Sequence, residues 1–512
     1  MEKMNNNIPW TPNPYGGYYP YPYGRVVQPP PVREKTIFPA GKNELLFGIF
    51  AIIFGLLLCN FTLFGGLNVG FAISAILCIY VSVGYLVASG CRPTAYSWTL
   101  LTLCVIIAAG FARSDDGFVK FVMFLFLVVS CNLGLCLLAG QNRSEPAGIT
   151  SLVDVPLTLF MGFGQMAPAF RGIGRTIRSG GPAIKKSGAV LLGLAVTIPL
   201  MCILIPLLMS ADAAFEGLIR LLPDFELNEV FATIIFGGGA ACVLYTRGAA
   251  LRHKPKMIRV EQKPMKGISH LTVNTVLGAV CLVYLVYLVG QLAYFTGAFA
   301  GILPKSFTMA EYARRGFFEM AWLCAIDLIV MALAIGLTAK KEGKTPMSTR
   351  LLCLLVGLVT VFLVSTASAK MCMYIDAYGL TRLRLLTEVI MVFLAIATAV
   401  VSVWLFAPKL AYMKVLLIVA MVIGAAVIWV DVDTVVASYN VSAYQSGKLE
   451  TIDLDYLSGL GDGAIPQIAK LTDSDNPWVA QQAQEIMNRE RRDDCDFRSW
   501  NYASWRAEEL MK

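Results

Sequence analysis

Residues Lys370–Glu388 read KMCMYIDAYGLTRLRLLTE and lie between two long apolar runs, Leu351–Ala367 and Thr387–Phe406. Each run approaches the roughly 20 residues that a helix needs to cross a bilayer. Charged side chains beside hydrocarbon cost free energy unless they are paired or serve a function. Because Gly379 interrupts the stretch, the pattern predicts two membrane helices joined by a short polar turn that holds a candidate site.

The composition extends this prediction to the whole chain. Of the 512 residues, 57% are hydrophobic and 15% are charged, and the mean hydropathy is +0.65. Soluble domains are less apolar and carry about 25% charged residues. The sequence therefore predicts an all-α, polytopic integral membrane protein.

The apolar runs of spanning length predict about eleven transmembrane helices, of which the third is the shortest. They are Leu45–Phe64, Phe71–Ala88, Ser97–Phe111, Val119–Leu138, Gly188–Met209, Val230–Tyr245, Val273–Phe295, Phe317–Thr338, Leu351–Ala367, Thr387–Phe406 and Met413–Trp429.

The basic residues predict how these helices are oriented. Lys and Arg are concentrated in alternate connections, starting with the N-terminal segment, whereas the connection Ser210–Glu229 is acidic. Short cytoplasmic loops carry an excess of Lys and Arg. We therefore expect a multi-pass protein of the cytoplasmic membrane with its N-terminus in the cytoplasm and its C-terminus outside.

Two terminal segments differ from the apolar part, residues 45–430. Residues 1–44 are rich in Pro, Tyr and Gly, which predicts a disordered cytoplasmic tail. Residues 431–512 are polar, and their apolar positions have helical spacing broken at Gly and Pro. The second segment predicts a small helical C-terminal domain on the extracytoplasmic side, packed on the membrane part.

The connection Ile149–Lys186 combines an apolar part with a basic part, RGIGRTIRSGGPAIKK. An interfacial segment in contact with anionic lipid is one interpretation. A re-entrant hairpin that lines a pathway is the other.

Polar residues in the seventh and eighth spans form two candidate groups. At about 100° per residue, the spacing of the first group places it on one helix face, where its members bind a ligand or join helices by hydrogen bonds. In the second group, an Arg and a Glu are spaced to pair at i, i+4, and an intramembrane Asp is either a coupling residue or a buried, hydrogen-bonded group. The groups are Tyr284, Tyr287, Gln291 and Tyr294, and then Tyr312, Arg315, Glu319 and Asp327.

The polar stretch Lys370–Glu388 supplies a third group. Arg and Lys beside tyrosines suit an anionic headgroup or a carboxylate, and an ion-paired plug between helix ends is the structural alternative. Spacing allows Arg384 to pair with Glu388. The candidates are Lys370, Tyr374, Tyr378, Arg382, Arg384 and Glu388.

Several function classes lack support in the sequence. Most of the 13 cysteines lie in apolar runs and the two histidines are far apart, so we expect no metal and no cofactor. Phosphate-binding glycine loops and hydrolase motifs do not occur, so a catalytic activity is not predicted. The basic loops include no folded nucleic-acid-binding module.

Several blocks of the sequence resemble a known family. KMCMYIDAYGLTRLRLLTE resembles the signature R-M-x-x-Y-x-x-x-Y-G-L-T-x-x-R of bacterial polytopic membrane proteins grouped as domain of unknown function 4173, related to 4153. SADAAF, VGQLAYFTGAF, EYARRGFFE and DVDTVVASYNV are similar to its other blocks in the same order. Lys370 and Ser438 stand where the family pattern has Arg. The resemblance implies a bacterial inner-membrane protein and no assigned activity.

Three functions remain open at this point. The first is an envelope-associated scaffold or sensor with an outward-facing Arg-Tyr cluster, whose partners are membrane lipids and an envelope component or protein. The second is a transporter or flippase of an anionic or amphipathic substrate. The third is a membrane-embedded transferase, which would need paired acid and base residues.

Overall fold

The computed structural model describes residues 41–140, 160–179, 227–253, 267–299, 317–339, 345–488 and 496–511, and scattered positions within 181–211. The side chains of 290–299 lie outside this description. All described residues belong to one unit, 38–512. The tail predicted for residues 1–44 lies almost wholly outside the described residues, and α1 begins at Lys42.

Nine helices of the described part are long and apolar enough to cross a membrane. The chain is therefore a multi-pass membrane protein. The nine are α1 (Lys42–Gly65), α2 (Val69–Ala88), α4 (Gly117–Ala139), α7 (Leu227–His253), α8 (His270–Phe299), α9 (Phe317–Leu337), α10 (Met347–Tyr378), α11 (Arg382–Phe406) and α12 (Tyr412–Val430).

Two of the predicted spans are not among these nine, so the count of eleven is not confirmed. Gly188–Met209 falls in the partly described region. The third predicted span is α3 (Ala95–Gly110), a helix of only 16 residues. It runs alongside α12: the Lys414 ammonium lies 5.1 Å from the centroid of the Tyr96 ring, and at the other end Trp429 Nε1 donates to the Ile106 carbonyl over 2.9 Å.

The helices pack through small residues and present large apolar side chains outward. A Cβ on Gly55 of α1 would lie 2.6 Å from the Ala241 nitrogen of α7, so these two helices approach closely. Large side chains such as Val289, Trp322 and Leu358 are exposed on the spans. An outer surface of this kind fits hydrocarbon better than water.

Two short helices, α5 (Met161–Gly164) and α6 (Met166–Ser179), lie in the connection Ile149–Lys186. α6 packs on α7: Ala169 is buried, and the ring centroids of Phe170 and Tyr245 are 6.4 Å apart.

The C-terminal segment is helical and shares its core with the spans. Its helices are α13 (Val432–Gln445), α14 (Leu454–Ser458), α15 (Ile465–Ile468), α16 (Pro477–Met487) and α17 (Tyr502–Met511). Their buried residues, among them Val436, Leu457 and Ile468, form one cluster with Val119 of α4 and Leu380 of the α10–α11 turn. The described residues contain no strand beyond an isolated bridge between Ile268 and Thr338.

The start of α1 and the C-terminal segment lie at opposite ends of the helix bundle. The Glu44 carboxylate pairs with Arg252 at the end of α7. At the other end, the backbone N–H of Val69 donates to the Trp500 carbonyl over 3.1 Å, and the N–H of Tyr502 donates to the Ala112 carbonyl over 2.8 Å. The C-terminal segment thus covers the ends of α1, α2, α3 and α4 that point away from Glu44.

Candidate functional site

A buried ionic cluster joins the C-terminal segment to two turns between spans. Arg382, the first residue of α11, lies with Nε 2.9 Å from Asp116 Oδ2 and 2.7 Å from Asp433 Oδ1. Both Asp side chains are 1% exposed, and the Arg382 side chain is 30% exposed. One guanidinium therefore compensates two buried carboxylates. We call Ser114, Asp116, Arg382, Asp431 and Asp433 the junction cluster.

The α12–α13 boundary carries the second carboxylate of the C-terminal segment. Asp431 has a backbone φ of 61°, unusual for a residue with a side chain. Its Oδ1 accepts a hydrogen bond from the Ser114 hydroxyl over 3.0 Å, and its Oδ2 accepts from Thr434 over 2.7 Å. A Cβ on Gly463 would lie 2.8 Å from Oδ2, so that position requires a glycine. These bonds hold the strained turn in place.

Burial changes the protonation of the junction cluster. Desolvation raises the pKa of Asp433 to about 7, with the Arg382 guanidinium opposing the rise. Desolvation also raises the pKa of Asp431. Asp433 Oδ2 is buried and forms no hydrogen bond, which adds to the desolvation of this carboxyl group. Despite these carboxylates, no group of three or more potential metal ligands occurs in the described part of the chain.

A side-chain amide fixes the turn between α10 and α11. Asn440 of α13 accepts a hydrogen bond from the Leu380 N–H and donates one to the Leu380 carbonyl, each 2.7 Å long. It therefore binds the backbone as a neighbouring strand would. Gly379 has φ +78°, and a Cβ there would lie 2.6 Å from Asn440 Oδ1. Two blocks of the family-like pattern, YGLT and DVDTVVASYNV, thus meet in space.

Replacing Gly379 with Ala is expected to destabilise the protein more than replacing Gly447 with Ala. Both glycines have a positive φ, which residues with a side chain adopt rarely. Nothing lies within 4 Å of a Cβ at Gly447, whereas a Cβ at Gly379 displaces Asn440. Thermal unfolding in detergent, followed by a thiol-reactive dye that labels buried cysteines as they become exposed, measures the difference. Equal losses would contradict the close contact with Asn440.

Asp327 is buried inside the membrane part, where three helices meet. The Tyr284 hydroxyl of α8 donates to Asp327 Oδ1 over 2.5 Å, and the Thr360 hydroxyl of α10 donates to Oδ2 over 2.9 Å. Asp327 itself belongs to α9 and is 1% exposed. The carboxyl group therefore links α8, α9 and α10, the arrangement expected of a hydrogen-bonded intramembrane acid.

Replacing Thr360 with Val is expected to cost about 1 kcal/mol more than replacing Thr398 with Val. Both threonines are buried, and each hydroxyl bonds to a carbonyl of its own helix, Val356 and Leu394 respectively. Of the two, Thr360 also contacts Asp327, and it shares its single hydroxyl proton between the Val356 carbonyl and Asp327 Oδ2. The comparison is made by thermal unfolding in detergent at matched pH. Equal stability of the two variants would mean that the bond to Asp327 contributes nothing.

The predicted pair of Arg384 with Glu388 is wrong. The Arg384 guanidinium instead lies 4.1 Å from the centroid of the Tyr374 ring and donates to the Tyr378 and Gly379 carbonyls. Those carbonyls end α10, and cations are favourable at the C-terminus of a helix. Glu388 accepts a hydrogen bond from the Ser368 hydroxyl. Arg384 therefore caps the preceding helix, and Glu388 joins α11 to α10.

The other sequence-predicted residues are placed as follows. The ring centroids of Tyr374 and Tyr378 are 5.1 Å apart. Lys370 is half-buried on α10. Tyr287 packs against the apolar cluster around Met320. Glu319 is exposed at the start of α9. Tyr312, Arg315 and the side chains of Gln291 and Tyr294 lie outside the described residues. The structure therefore unites Tyr284 with Asp327, and Tyr374 with Tyr378 and Arg384, but assigns Arg382 to the junction cluster.

Sequence reasoning missed the partners of Arg382. Asp116 follows the short third apolar run, and Asp433 follows the last one, so both occur where a span ends. One sequence signal for these partners was available: each carboxylate directly follows a span, at the end of the bundle where Arg382 also lies. Its weakness is that many exposed loop carboxylates fit the same description.

Comparison with known proteins identifies the family of the chain. Neither the curated proteins nor the solved structures include a match to the chain. Membership of the related family 4173, which the sequence blocks resemble, is not shown. Over residues 75–471, which include the junction cluster and Asp327, the chain matches the family described as Domain of unknown function (DUF4153), and it therefore belongs to that family.

Proposed function

We propose that the protein is an envelope-associated scaffold or sensor that presents its C-terminal helical domain, residues 431–511, on the extracytoplasmic face of the bacterial cytoplasmic membrane. The observation that carries this proposal is the attachment of that domain to spans from both halves of the chain. Polar contacts make the attachment, and they are buried at Asp433 and Asn440 and partly exposed at Arg498. A change at the domain is then transmitted to the membrane helices.

The contacts with the first half involve Arg498. Its guanidinium pairs with Glu229 of α7 at 2.9 Å and also donates to Asn60 Oδ1 of α1 over 3.3 Å. The Arg113 guanidinium lies 4.3 Å from the centroid of the Tyr502 ring. These contacts hold the last helix, α17, and the segment before it against the ends of α1, α3 and α7.

The contacts with the second half are the bonds of Arg382 and Asn440. Asp376 near the end of α10 adds an exposed pair with Lys448, with 2.6 Å between Oδ1 and Nζ. Exposed pairs of this kind contribute little free energy. The buried groups, Asp433 and Asn440, therefore dominate the attachment to α10 and α11.

The outer surface of the domain offers a place for a partner. An open groove of about 620 Å³ is lined by Tyr444 and Lys470 and by the acidic residues Glu450, Asp473 and Asp475, among others. Carboxylates and one ammonium suit a ligand that carries cationic or hydroxyl groups. The excess of Lys and Arg at the opposite end of the bundle supports the extracytoplasmic position of this groove.

Two engineered cysteines test the orientation. Asp475 in the domain and Lys409 in the α11–α12 connection are both exposed and lie at opposite ends of the bundle. In a variant without Cys372 and Cys495, we expect a membrane-impermeant thiol reagent to label Asp475→Cys in intact cells and Lys409→Cys only after lysis. The reverse pattern would place the domain in the cytoplasm and overturn the proposal.

The same two positions test for a partner. A photo-crosslinking amino acid at position 475 is expected to give a discrete adduct with an envelope component in living cells, and the same amino acid at position 409 is not. If crosslinkers around the groove give no adduct while the protein reaches the membrane normally, the scaffold or sensor assignment fails.

Transport is a second candidate, favoured by the Asp327 carboxyl group with donors from two other helices. Intramembrane carboxylates mark proton and ion pathways in many transporters. In proteoliposomes with a trapped pH dye, a transporter is expected to carry a proton flux that Asp327→Asn abolishes. Equal fluxes in both proteins would leave Asp327 with a structural role only.

A further inference from the structure

We infer that α6, Met166–Ser179, is an in-plane helix that binds the headgroups of anionic phospholipids. The helix lies at the end of the bundle opposite the C-terminal domain, because it packs on the part of α7 that contains Tyr245. Neither the junction cluster nor the groove involves this surface. The inference is independent of the scaffold or sensor function.

The basic residues of α6 occupy one face. Arg171, Arg175 and Arg178 follow each other at offsets of four and three, which places them within an arc of roughly 60° at about 100° per residue. All three are exposed. Arg171 Nε donates to the Ala167 carbonyl over 3.0 Å. Among the described carboxylates, none forms an ion pair with these three arginines.

An apolar surface adjoins the basic face. Ala169 is buried against the bundle, and Ile173 packs against the same cluster. Phe170 lies on the helix between that buried face and the arginines and is 45% exposed. Phe160 and Phe163, just before α6, are 63% and 53% exposed. We therefore place the exposed rings at the boundary of the acyl chains and the arginines in the headgroup layer next to it.

Charge complementarity selects the occupant. A helix with a basic face and exposed aromatic side chains lies in the plane of the interface and is attracted to anionic lipid. Arg guanidinium groups bind phosphate bidentately. A zwitterionic headgroup has no net charge to offer, so the occupant we assign is the anionic phospholipid headgroup.

Hydrogen–deuterium exchange of α6 in the full-length protein tests this assignment. The protein is reconstituted in nanodiscs of phosphatidylcholine alone, or with about a third phosphatidylglycerol. We expect the amides of α6 to exchange roughly fivefold or more slowly in the anionic bilayer, since each Arg near such a surface accounts for about a fivefold change in binding. Because both leaflets contain the same lipids, the result does not depend on orientation.

Matched variants and a free-anion control complete the test. The double variant Arg171→Gln/Arg175→Gln is expected to lose the slow exchange, whereas Arg92→Gln/Lys409→Gln, which removes two exposed charges from the same end of the bundle, is expected to keep it. Inorganic phosphate added to phosphatidylcholine nanodiscs is expected to have no effect. Protection by phosphate would identify a free anion rather than a lipid as the ligand and overturn the assignment.

Two further outcomes would also overturn it. Equal exchange in the two bilayers would mean that the basic face serves another partner, such as an acidic protein. Loss of protection in the Arg92→Gln/Lys409→Gln variant would mean that only the total charge matters. If the Arg171→Gln/Arg175→Gln variant fails to reconstitute, high salt replaces it: salt screens exposed charges, so it must remove the protection from the wild-type protein.

Discussion

Replacing Arg382 with Gln is expected to destabilise the protein by about 1–3 kcal/mol near neutral pH, because buried Asp433 loses its hydrogen-bond donor. The Asp433 carboxyl group depends on the Arg382 guanidinium, whereas Asp116 keeps the backbone N–H groups of Phe118 and Val119. The Tyr456 hydroxyl accepts from the backbone N–H of Arg382 and is therefore unaffected by the substitution. Thermal unfolding in detergent, followed by labelling of buried Cys104 and Cys324, measures the loss.

Arg384→Gln is the matched control for this prediction. Arg384 lies two residues away on the same first turn, but its contacts are carbonyls and the Tyr374 ring. We expect it to cost about 1 kcal/mol, the range of single hydrogen bonds and cation–π contacts. If both variants lose the same stability, the junction cluster has no special energetic role. Limited proteolysis is expected to release the C-terminal domain earlier from the Arg382→Gln variant than from the Arg384→Gln variant.

The protein is expected to gain stability as the pH falls from about 8 to about 6, by about 1 kcal/mol from Asp433 alone. Burial raises the folded-state pKa of Asp433 to about 7, above its ordinary value of 3.8. A carboxyl group with a raised pKa binds more protons in the folded state. Its stabilising effect is therefore complete at acidic pH and is lost as the pH rises through about 7.

Asp433→Asn is expected to remove most of this pH dependence and to raise the stability at about pH 8, since the amide is neutral at every pH. Asp376→Asn is the control, because Asp376 is exposed and, among the described residues, pairs with Lys448 and Tyr439 of the C-terminal domain. The melting temperature of the three proteins is measured across the pH range. If the pH dependence survives in Asp433→Asn, another carboxyl group of the junction cluster causes it. Asp431 is such a group, since burial also raises its pKa.

The two predictions are linked through the same guanidinium. When Asp433 takes up a proton at lower pH, Arg382 has one charged partner fewer. The cost of Arg382→Gln is then expected to shrink toward acidic pH. A cost that stays constant with pH would mean that Asp433 remains ionised beside Arg382.

Hydrophobic patterning made the class of protein and the positions of most spans predictable. A run such as Thr387–Phe406 contains enough apolar residues to cross a bilayer, and the helix Arg382–Phe406 covers it. The sequence left open whether the short run Ser97–Phe111 crosses the membrane, because a run is judged to be a span by its length. The helix that contains most of it, α3, is 16 residues long. Its course beside α12 became visible only through contacts.

The candidate site was predictable in part. Tyr284 and Asp327 both stood out, because polar groups in an apolar run need partners. Their contact joins two helices 43 positions apart in sequence, and helical spacing within each run gives no information on which faces meet. For the same reason, spacing suggested Arg384 with Glu388, although the carbonyls at the end of α10 were the better acceptors for Arg384.

The sequence by itself determined a multi-pass helical membrane protein, the break at Gly379 and the basic part of the connection Ile149–Lys186, because these properties depend on local composition and patterning. Only the tertiary structure decided that Arg382 would compensate Asp116 and Asp433, and that Asn440 would bind the backbone of Leu380. These partners come from segments far apart in the chain. Their pairing follows from how the spans pack, since packing brings the ends of α3, α10 and α12 to one place.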